Sequence, residues 1–318
     1  MNLLLPALIE TCCLLLLAFS IIGFFAQFNW IIDLINHTRP YLFLAAVVGA
    51  IFALLFQQQI GLYAALIACM INGVIVVPYV IPKLQRNPTP DSALTLMTIN
   101  VLYGNRSPEK LLATIQDVDP DILIVQEMSA SNQQKAEKLW ELFPHASDQP
   151  NNGSREVLVF SKIPLDSVNY ILGDKPWRAE AEVQITIDNQ PFTVLGIHPK
   201  APMSANRFAR RNAELDLIAE RVNITDVPII VAGDMNITPW TPIFRRFLRE
   251  SNLNDGRKRN GFNFTWAPGS LPKMIPIDHV LYRGVNIHSF TSGPDTGSDH
   301  LPIIVEFSLP SKDNRING

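Results

Sequence analysis

Cysteine is almost missing from this chain. Three occur in 318 residues, Cys12, Cys13 and Cys69, and all lie inside apolar runs. That excludes a disulfide framework and a cysteine-ligated metal site. A distal part free of cysteine suits either redox compartment. Charge is missing from the first quarter, where residues 1–82 carry only Glu10, Asp33 and Arg39. The other 236 residues therefore hold 25 of the 26 basic and 27 of the 29 acidic side chains. A balance so close to neutral lacks the general electrostatic drive of a nonspecific DNA binder. The amino terminus has neither a basic segment nor a small-residue cleavage pattern, which counts against a signal peptide. No repeat and no low-complexity tract is present.

What the first quarter does contain is three uncharged apolar runs, over residues 11–28, 41–56 and 60–81. A membrane-spanning helix needs about 20 apolar residues. The third run meets this, and the first does so with residues 3–8. The second is short, but Gln57, Gln58 and Gln59 can turn the chain at the interface. Trp30, Tyr41 and Tyr79 fall near the ends, where interfacial aromatics belong. The expectation is three transmembrane helices in residues 1–82, with the lipid bilayer as partner. Residues 83–92 read as a proline-containing linker, residues 93–310 as the catalytic domain, and residues 311–318 as a disordered polar tail.

The domain mixes strand and helix patterns. Short apolar runs at 93–100, 121–126, 157–160, 182–187, 192–198, 227–232, 276–282 and 303–309 read as strands. Helical spacing marks 108–115, 133–142, 205–222 and 243–250. Such a series predicts an α/β sandwich with paired sheets.

Polar residues sit where these strands end: Thr98-Ile-Asn100, Gln126-Glu127, His198-Pro-Lys-Ala-Pro202, Gly233-Asp-Met-Asn236, Ile277-Asp-His279 and Gly297-Ser-Asp-His300. Carboxylates, amides and imidazoles gathered at strand ends suit a hard metal and phosphoester hydrolysis. In this order the motifs resemble the endonuclease/exonuclease/phosphatase superfamily, across nearly the whole distal domain. The resemblance implies a DNase I-like four-layer α/β sandwich of two packed, mainly antiparallel sheets. It implies Mg²⁺ or Mn²⁺ held by Glu127 and Asn100, with Asp299 completing the shell. Asp234 and His300 are the two candidates for the base, and Asp278 would orient His300. Asn236 and His198 would donate to the phosphate. His279 reads as structural. His37, His145 and His288 match no motif and read as surface or interfacial. Some nucleases of this superfamily carry a catalytic Tyr where His198 stands, which counts against an abasic-site endonuclease.

Within the superfamily, the stretch from Gly233 to Arg245, Thr265-Trp266 and the three-helix prefix are most similar to membrane-anchored bacterial members, the YafD-like and VanJ-like proteins. That implies a bacterial inner-membrane protein acting on a membrane-associated phosphoester, such as a polyprenyl pyrophosphate or a phospholipid. A membrane-tethered nuclease is the alternative. For it, Arg207, Arg210 and Arg211, with Arg245, Arg246, Arg249, Arg257, Lys258 and Arg259, would track a phosphate backbone; otherwise they are solvated helix faces. Trp240 and Trp266 read either as the border of an apolar entrance or as packing. Arg39, Lys83 and Arg86 favour a cytoplasmic domain by the positive-inside rule. The resemblance implies the opposite side, and an extracytoplasmic domain is the reading taken. No obligate protein partner is called for.

Overall fold

The computed structural model describes residues 4–82, 90, 92–149, 155–171, 179–267, 269 and 274–310. The tail 311–318 and most of the linker, Lys83 and Arg86 included, lie outside the described residues.

Helix α1 (Leu4–Ile22) runs into a 3-10 segment, Gly23–Phe28. Helix α2 (Trp30–Asn36) begins at Asn29, whose side chain accepts the Ile31 N–H at 2.8 Å. Helices α3 (Arg39–Leu55) and α4 (Gln59–Val80) follow. Leu4–Phe28 and α4 are each long and apolar enough to cross a membrane. So are α2 and α3 taken together, despite a 62° bend, which allows up to three spans. Gln57 reverses the chain between α3 and α4 with a φ of 58°. The helices meet through small residues. Ala53, Ala64 and Ala65 are buried, and a Cβ on Gly61 would come within 3.2 Å of the Glu10 backbone. Such contacts let helix backbones approach closely where no water drives association.

The rest of the chain forms β1 (Leu94–Asn100), α5 (Pro108–Val118), β2 (Ile122–Met128), α6 (Ala130–Lys135), α7 (Leu139–Leu142), β3 (His145–Ala146), β4 (Arg155–Ser161), β5 (Leu165–Ile171) and β6 (Glu180–Ile187). It continues through β7 (Gln190–Ile197), α8 (Ala205–Asn223), β8 (Ile229–Asp234), α9 (Pro242–Ser251), β9 (Asn254–Asp255), β10 (Asp278–Arg283), β11 (Asn286–Ser292) and β12 (Ile303–Ser308). Two six-stranded sheets result, ordered β11-β12-β1-β2-β4-β3 and β5-β6-β7-β8-β10-β9. Each sheet has a central parallel pair, β1 with β2 and β7 with β8, among antiparallel neighbours.

The inner faces share one core, to which Leu96, Ile124, Val194, Ile230 and Phe307 contribute. On the outside, Met97 and Leu123 pack against Leu111 and Ile115 of α5. On the opposite outer face, Leu195 and Val231 pack against Ile218 of α8 and Phe244 of α9. The result is a four-layer α/β/β/α sandwich, as the motif order implied. Central strands covered on both faces must be apolar at every position, which is why 122–125 and 229–232 read as unbroken apolar runs. The pattern missed β5 and β11. Each lies at a sheet edge with one flank unpaired, where polar residues are favoured.

The topology gathers the site. In register, Asn100 pairs with Gln126 and Ile197 with Gly233, so both parallel pairs deliver their carboxyl ends to the site. Strand β10 runs the other way, and its first residue, Asp278, lies opposite Asp234. Ligand sites in mixed α/β sheets form outside such carboxyl ends.

Candidate active site

Six loops meet at this end of the sandwich. The Asn100 amide donates to Glu127 Oε1 and to Asp234 Oδ2, each at 3.1 Å, while its oxygen accepts the Leu102 N–H. Glu127, next to last in β2, has a φ of 60°. A left-handed backbone at a non-glycine residue costs energy and persists only where its surroundings enforce it, commonly at functional sites. Here the enforcement includes the Tyr103 N–H, which donates to Glu127 Oε2 at 3.1 Å. Gly233, just before Asp234, has a φ of 145°, and a Cβ there would sit 2.0 Å from the Ile197 carbonyl oxygen. Only glycine lets β7 and β8 end so close together.

His198 lies between the acids. Its Nε2 is 3.4 Å from Asp234 Oδ2 and 3.7 Å from Glu127 Oε1. Its Nδ1 is 2.9 Å from Glu156 Oε1, a charge contact without an aligned hydrogen bond. Burial pushes the imidazole toward neutrality, but Asp234 and Glu156 outweigh it and hold His198 well above the usual histidine range. Burial likewise raises Glu156. Its contact with His198 and the Tyr103 hydroxyl, which donates at 2.6 Å, wins and brings it down to about 2.

A second imidazole faces Asp234 from the other side. His300 Nδ1 contacts Asp278 Oδ2 at 2.9 Å, and its Nε2 is 3.7 Å from Asp234 Oδ2. Burial lowers His300, but Asp278 and Asp234 override it and raise the ring to about 9. Asp234 shows the mirror image: burial raises it, and the two imidazoles bring it down to about 2. The acids thus draw both rings toward the charged form, and the rings in turn hold the Asp234 carboxyl down. Ser298 fixes the last loop by donating to the Asn100 carbonyl at 2.7 Å and accepting the His300 N–H at 3.1 Å.

The structure thus brings Asn100, Glu127, His198, Asp234, Asp278 and His300 together. Asp299 stands at the rim, its side chain half exposed, accepting from Trp266 Nε1 at 3.2 Å and 4.0 Å from His300 Nε2. Asn236 has partners within the protein. Its amide donates to the Pro199 carbonyl at 3.0 Å, and its backbone N–H donates to Asp234 Oδ1 at 2.9 Å. His279 is structural as expected. It is buried with Nε2 2.8 Å from the Ile237 carbonyl and, through burial and Arg257, lowered to about 3. Sequence reasoning missed Glu156 and Tyr103. The available signal was an acid at the head of the apolar run 157–160, the mirror of Glu127 at the tail of another.

Two open alternatives narrow. Trp240 takes the packing reading: it is 1% exposed and packs against Tyr79 of α4 and Phe262. Arg211 and Arg257 are buried and belong to no binding track. Arg207 and Arg210 instead line a cavity of about 340 Å³ with Lys200, Glu127, Glu156 and His198.

A hard cation fits the donor set. Glu127 lines the cavity and brings a carboxylate, Asn100 beside it carries an amide oxygen that here accepts the Leu102 N–H, and the chain has no cysteine beyond Cys69 to compete. Asp234, Asp278 and His300 also bring ligand-type atoms within 4.8 Å of one another. In that trio His300 Nδ1 is hydrogen-bonded to Asp278 Oδ2 at 2.9 Å, the arrangement by which a carboxylate orients an imidazole, while its Nε2 stands 3.7 Å from Asp234 Oδ2.

Residues 97–300 match the Endonuclease/Exonuclease/phosphatase family. The chain is 22% identical over 235 residues to a UPF0294 protein of Vibrio parahaemolyticus, covering 68% of this chain and 78% of that one. It is 34% identical over 88 residues to a UPF0294 protein of Klebsiella pneumoniae, covering 26% and 29%. Among solved structures, a humanized D. rerio TDP2 aligns with a TM-score of 0.57 at 17% identity, over 69% of this chain and all of that one. The human Nocturnin catalytic domain with bound sulfate aligns with a TM-score of 0.55 at 20% identity, over 72% of this chain and all of that domain. At these identities the structural likeness concerns the fold.

Proposed function

We propose that this chain, which belongs to the endonuclease/exonuclease/phosphatase family of phosphoester hydrolases, is a membrane-anchored, Mg²⁺- or Mn²⁺-dependent enzyme for a membrane-resident phosphoester. A polyprenyl pyrophosphate or a phospholipid is the substrate class. The carrying observation is the ionised Asp234 set between His198 and His300, with Glu127 and Asn100 alongside. Asp234 is the proton acceptor for the attacking water, because His300 already carries its proton up to about 9. His300 and His198 then donate to the phosphoryl oxygens as charge develops. Asp278 holds His300 in place. Asn236 holds Asp234 through its backbone N–H and, at 3.4 Å, its side-chain amide, from which it would also donate to the phosphate. A divalent cation held by Glu127 and Asn100, with Asp299 at the rim, would neutralise charge on the phosphoryl group.

The apolar helices support the membrane substrate, since anchoring confines enzyme and lipid to one plane. We place the protein in a bacterial-type inner membrane with the catalytic domain extracytoplasmic. An alkaline phosphatase fusion after Leu309 should be active, and an inactive fusion beside a fluorescent GFP fusion would reverse the orientation. One observation favours the tethered nuclease instead: Lys200, Arg207 and Arg210 line the cavity that holds Glu127 and His198. The hydrolase reading itself is tested by turnover of bis-p-nitrophenyl phosphate by purified full-length protein with Mg²⁺. Excess EDTA should abolish it, and full activity in EDTA would refute the metal requirement.

A further inference from the structure

We infer that Asp33, a residue of the membrane-type segment, is a positioning residue of the active site, acting through Arg211 on the loop that bears Asp234. The inference rests on the hydrolase reading above and adds to it a part of the chain outside the sandwich.

Asp33 lies in α2, between the first two apolar helices, and is fully buried. Its Oδ2 accepts from Arg211 Nη2 at 2.8 Å, and both side chains are 0% exposed. The same guanidinium uses Nη1 to donate to the Asn236 carbonyl at 3.2 Å, and Nε to donate to Asn212 Oδ1 at 2.9 Å. Asn236 in turn holds Asp234 Oδ1 through its N–H and the Pro199 carbonyl, next to His198, through its amide. A continuous line of hydrogen bonds thus joins α2 to the carboxylate at the centre of the site.

Three features mark this as more than a packing contact. Asn236 has a left-handed backbone, φ 51°, a conformation that its surroundings must enforce. Asp33 is not needed to cap its own helix, because Asn29 already caps α2, and Asp33 Oδ1 has no hydrogen-bond partner among the described residues. The same loop is fastened to the apolar helices at two further points. His37 Nδ1 lies 3.2 Å from Thr238 Oγ1, and Trp240 packs edge-on against Tyr79 with ring centres 6.3 Å apart. The loop 234–240 is therefore held between the sandwich and the membrane-type helices. Without the Asp33 carboxylate, Arg211 would be a buried cation with no counter-charge, and the guanidinium that holds the Asn236 carbonyl would lose its anchor on α2.

The test uses full-length protein in detergent with bis-p-nitrophenyl phosphate and Mg²⁺. Asp33→Asn should lower kcat by about 10-fold or more with KM within about twofold, since small misplacements of reacting groups act on kcat. The double variant Asp33→Asn/Arg211→Met removes the unpaired charge as well as the contact to Asn236. It should regain the melting temperature lost in Asp33→Asn yet keep the low kcat, whereas a purely structural pair would regain both. Amide exchange of residues 234–240 should rise in both variants, a readout that stands even if the diester proves not to be turned over. Loss of the hydrolase reading would show as no wild-type turnover, or as Asp234→Ala matching wild type. The positioning role is overturned if Asp33→Asn keeps wild-type kcat and unchanged exchange over 234–240, or if the double variant recovers full turnover.

Discussion

In residues 4–82 the helices meet through Ala53, Ala64, Ala65 and Gly61, while Leu5, Leu15, Phe52, Leu55, Met70 and Val74 face outward. In the sandwich the arrangement is reversed. Large aliphatic and aromatic side chains such as Leu96, Val194, Phe244 and Phe307 are sealed inside, and the large exposed apolars among the described residues are Tyr103, Val168, Met203, Leu217 and Ile224. One chain thus follows two burial rules. On the membrane reading proposed above, lipid gives no reason to hide leucine, so small residues mark the helix seams; water does, so size and apolarity mark the core. The boundary between the two rules is polar and specific. Asp33 meets Arg211 there, and His37 meets Thr238.

The strongest contrast is chemical, since the loops at the strand ends follow neither rule. Asp234 and His300 are buried yet polar, and truncating either removes a group to which the proposed mechanism gives a proton-handling role, without emptying a core. Asp234→Ala or His300→Ala should lower kcat by at least about 10²-fold with the fold intact by circular dichroism. A folded variant near wild-type turnover would remove that residue from the mechanism.

The packing contrast is weaker but separable. Phe244→Ala in the sandwich should cost about 3–5 kcal/mol, as aromatic-to-alanine changes in cores do. Ala65→Leu at the helix seam should cost about 1–3 kcal/mol by overpacking. Leu66→Ala, one residue along on the outward face, should change the melting temperature little. A loss at Leu66 as large as that at Ala65 would mean the outward face is covered by protein and not by lipid.

The last expected effect is in pH dependence. Glu180 is buried and accepts the His198 N–H at 2.8 Å. Burial raises its carboxyl to about 8, against the N–H bond and the charge of His198. A carboxyl raised in the folded state binds its proton more tightly than the unfolded chain does. Its contribution to stability is therefore full below the ordinary 4.5 and is lost as pH rises through about 8. Glu180→Gln keeps an acceptor for His198 and cannot ionise, so its melting temperature should fall less than that of wild type between about pH 5 and about pH 9. Equal slopes would remove Glu180 as a source of that dependence.

Much of this was legible in the sequence, for a physical reason. Central strands read as continuous apolar runs because they are covered on both faces, and Asn100, Glu127, Asp234 and Asp278 stand where those runs end or begin. The edge strands β5 and β11 carry no such pattern, and Glu156 heads its strand from the opposite direction. The coupling of the two regions was not legible at all. Arg211 sits among Arg207 and Arg210 on one helix and reads like them, yet it is 0% exposed and paired with a residue 178 positions away. Sequence alone suggests that a domain starting near Pro88 keeps its chemistry; the buried pair makes Asp33 part of what that domain would lose.

The central claim is that the helices bring this site to a phosphoester in the bilayer. Full-length protein reconstituted in liposomes with Mg²⁺ should be offered a polyprenyl pyrophosphate or phospholipid in the membrane and duplex DNA in solution, at several salt concentrations. The account predicts turnover of the lipid phosphate well above that of DNA, with little salt dependence. Efficient DNA cleavage that falls steeply with salt, and no turnover of any lipid phosphate, would contradict it and make the wall of Lys200, Arg207 and Arg210 a nucleic-acid surface.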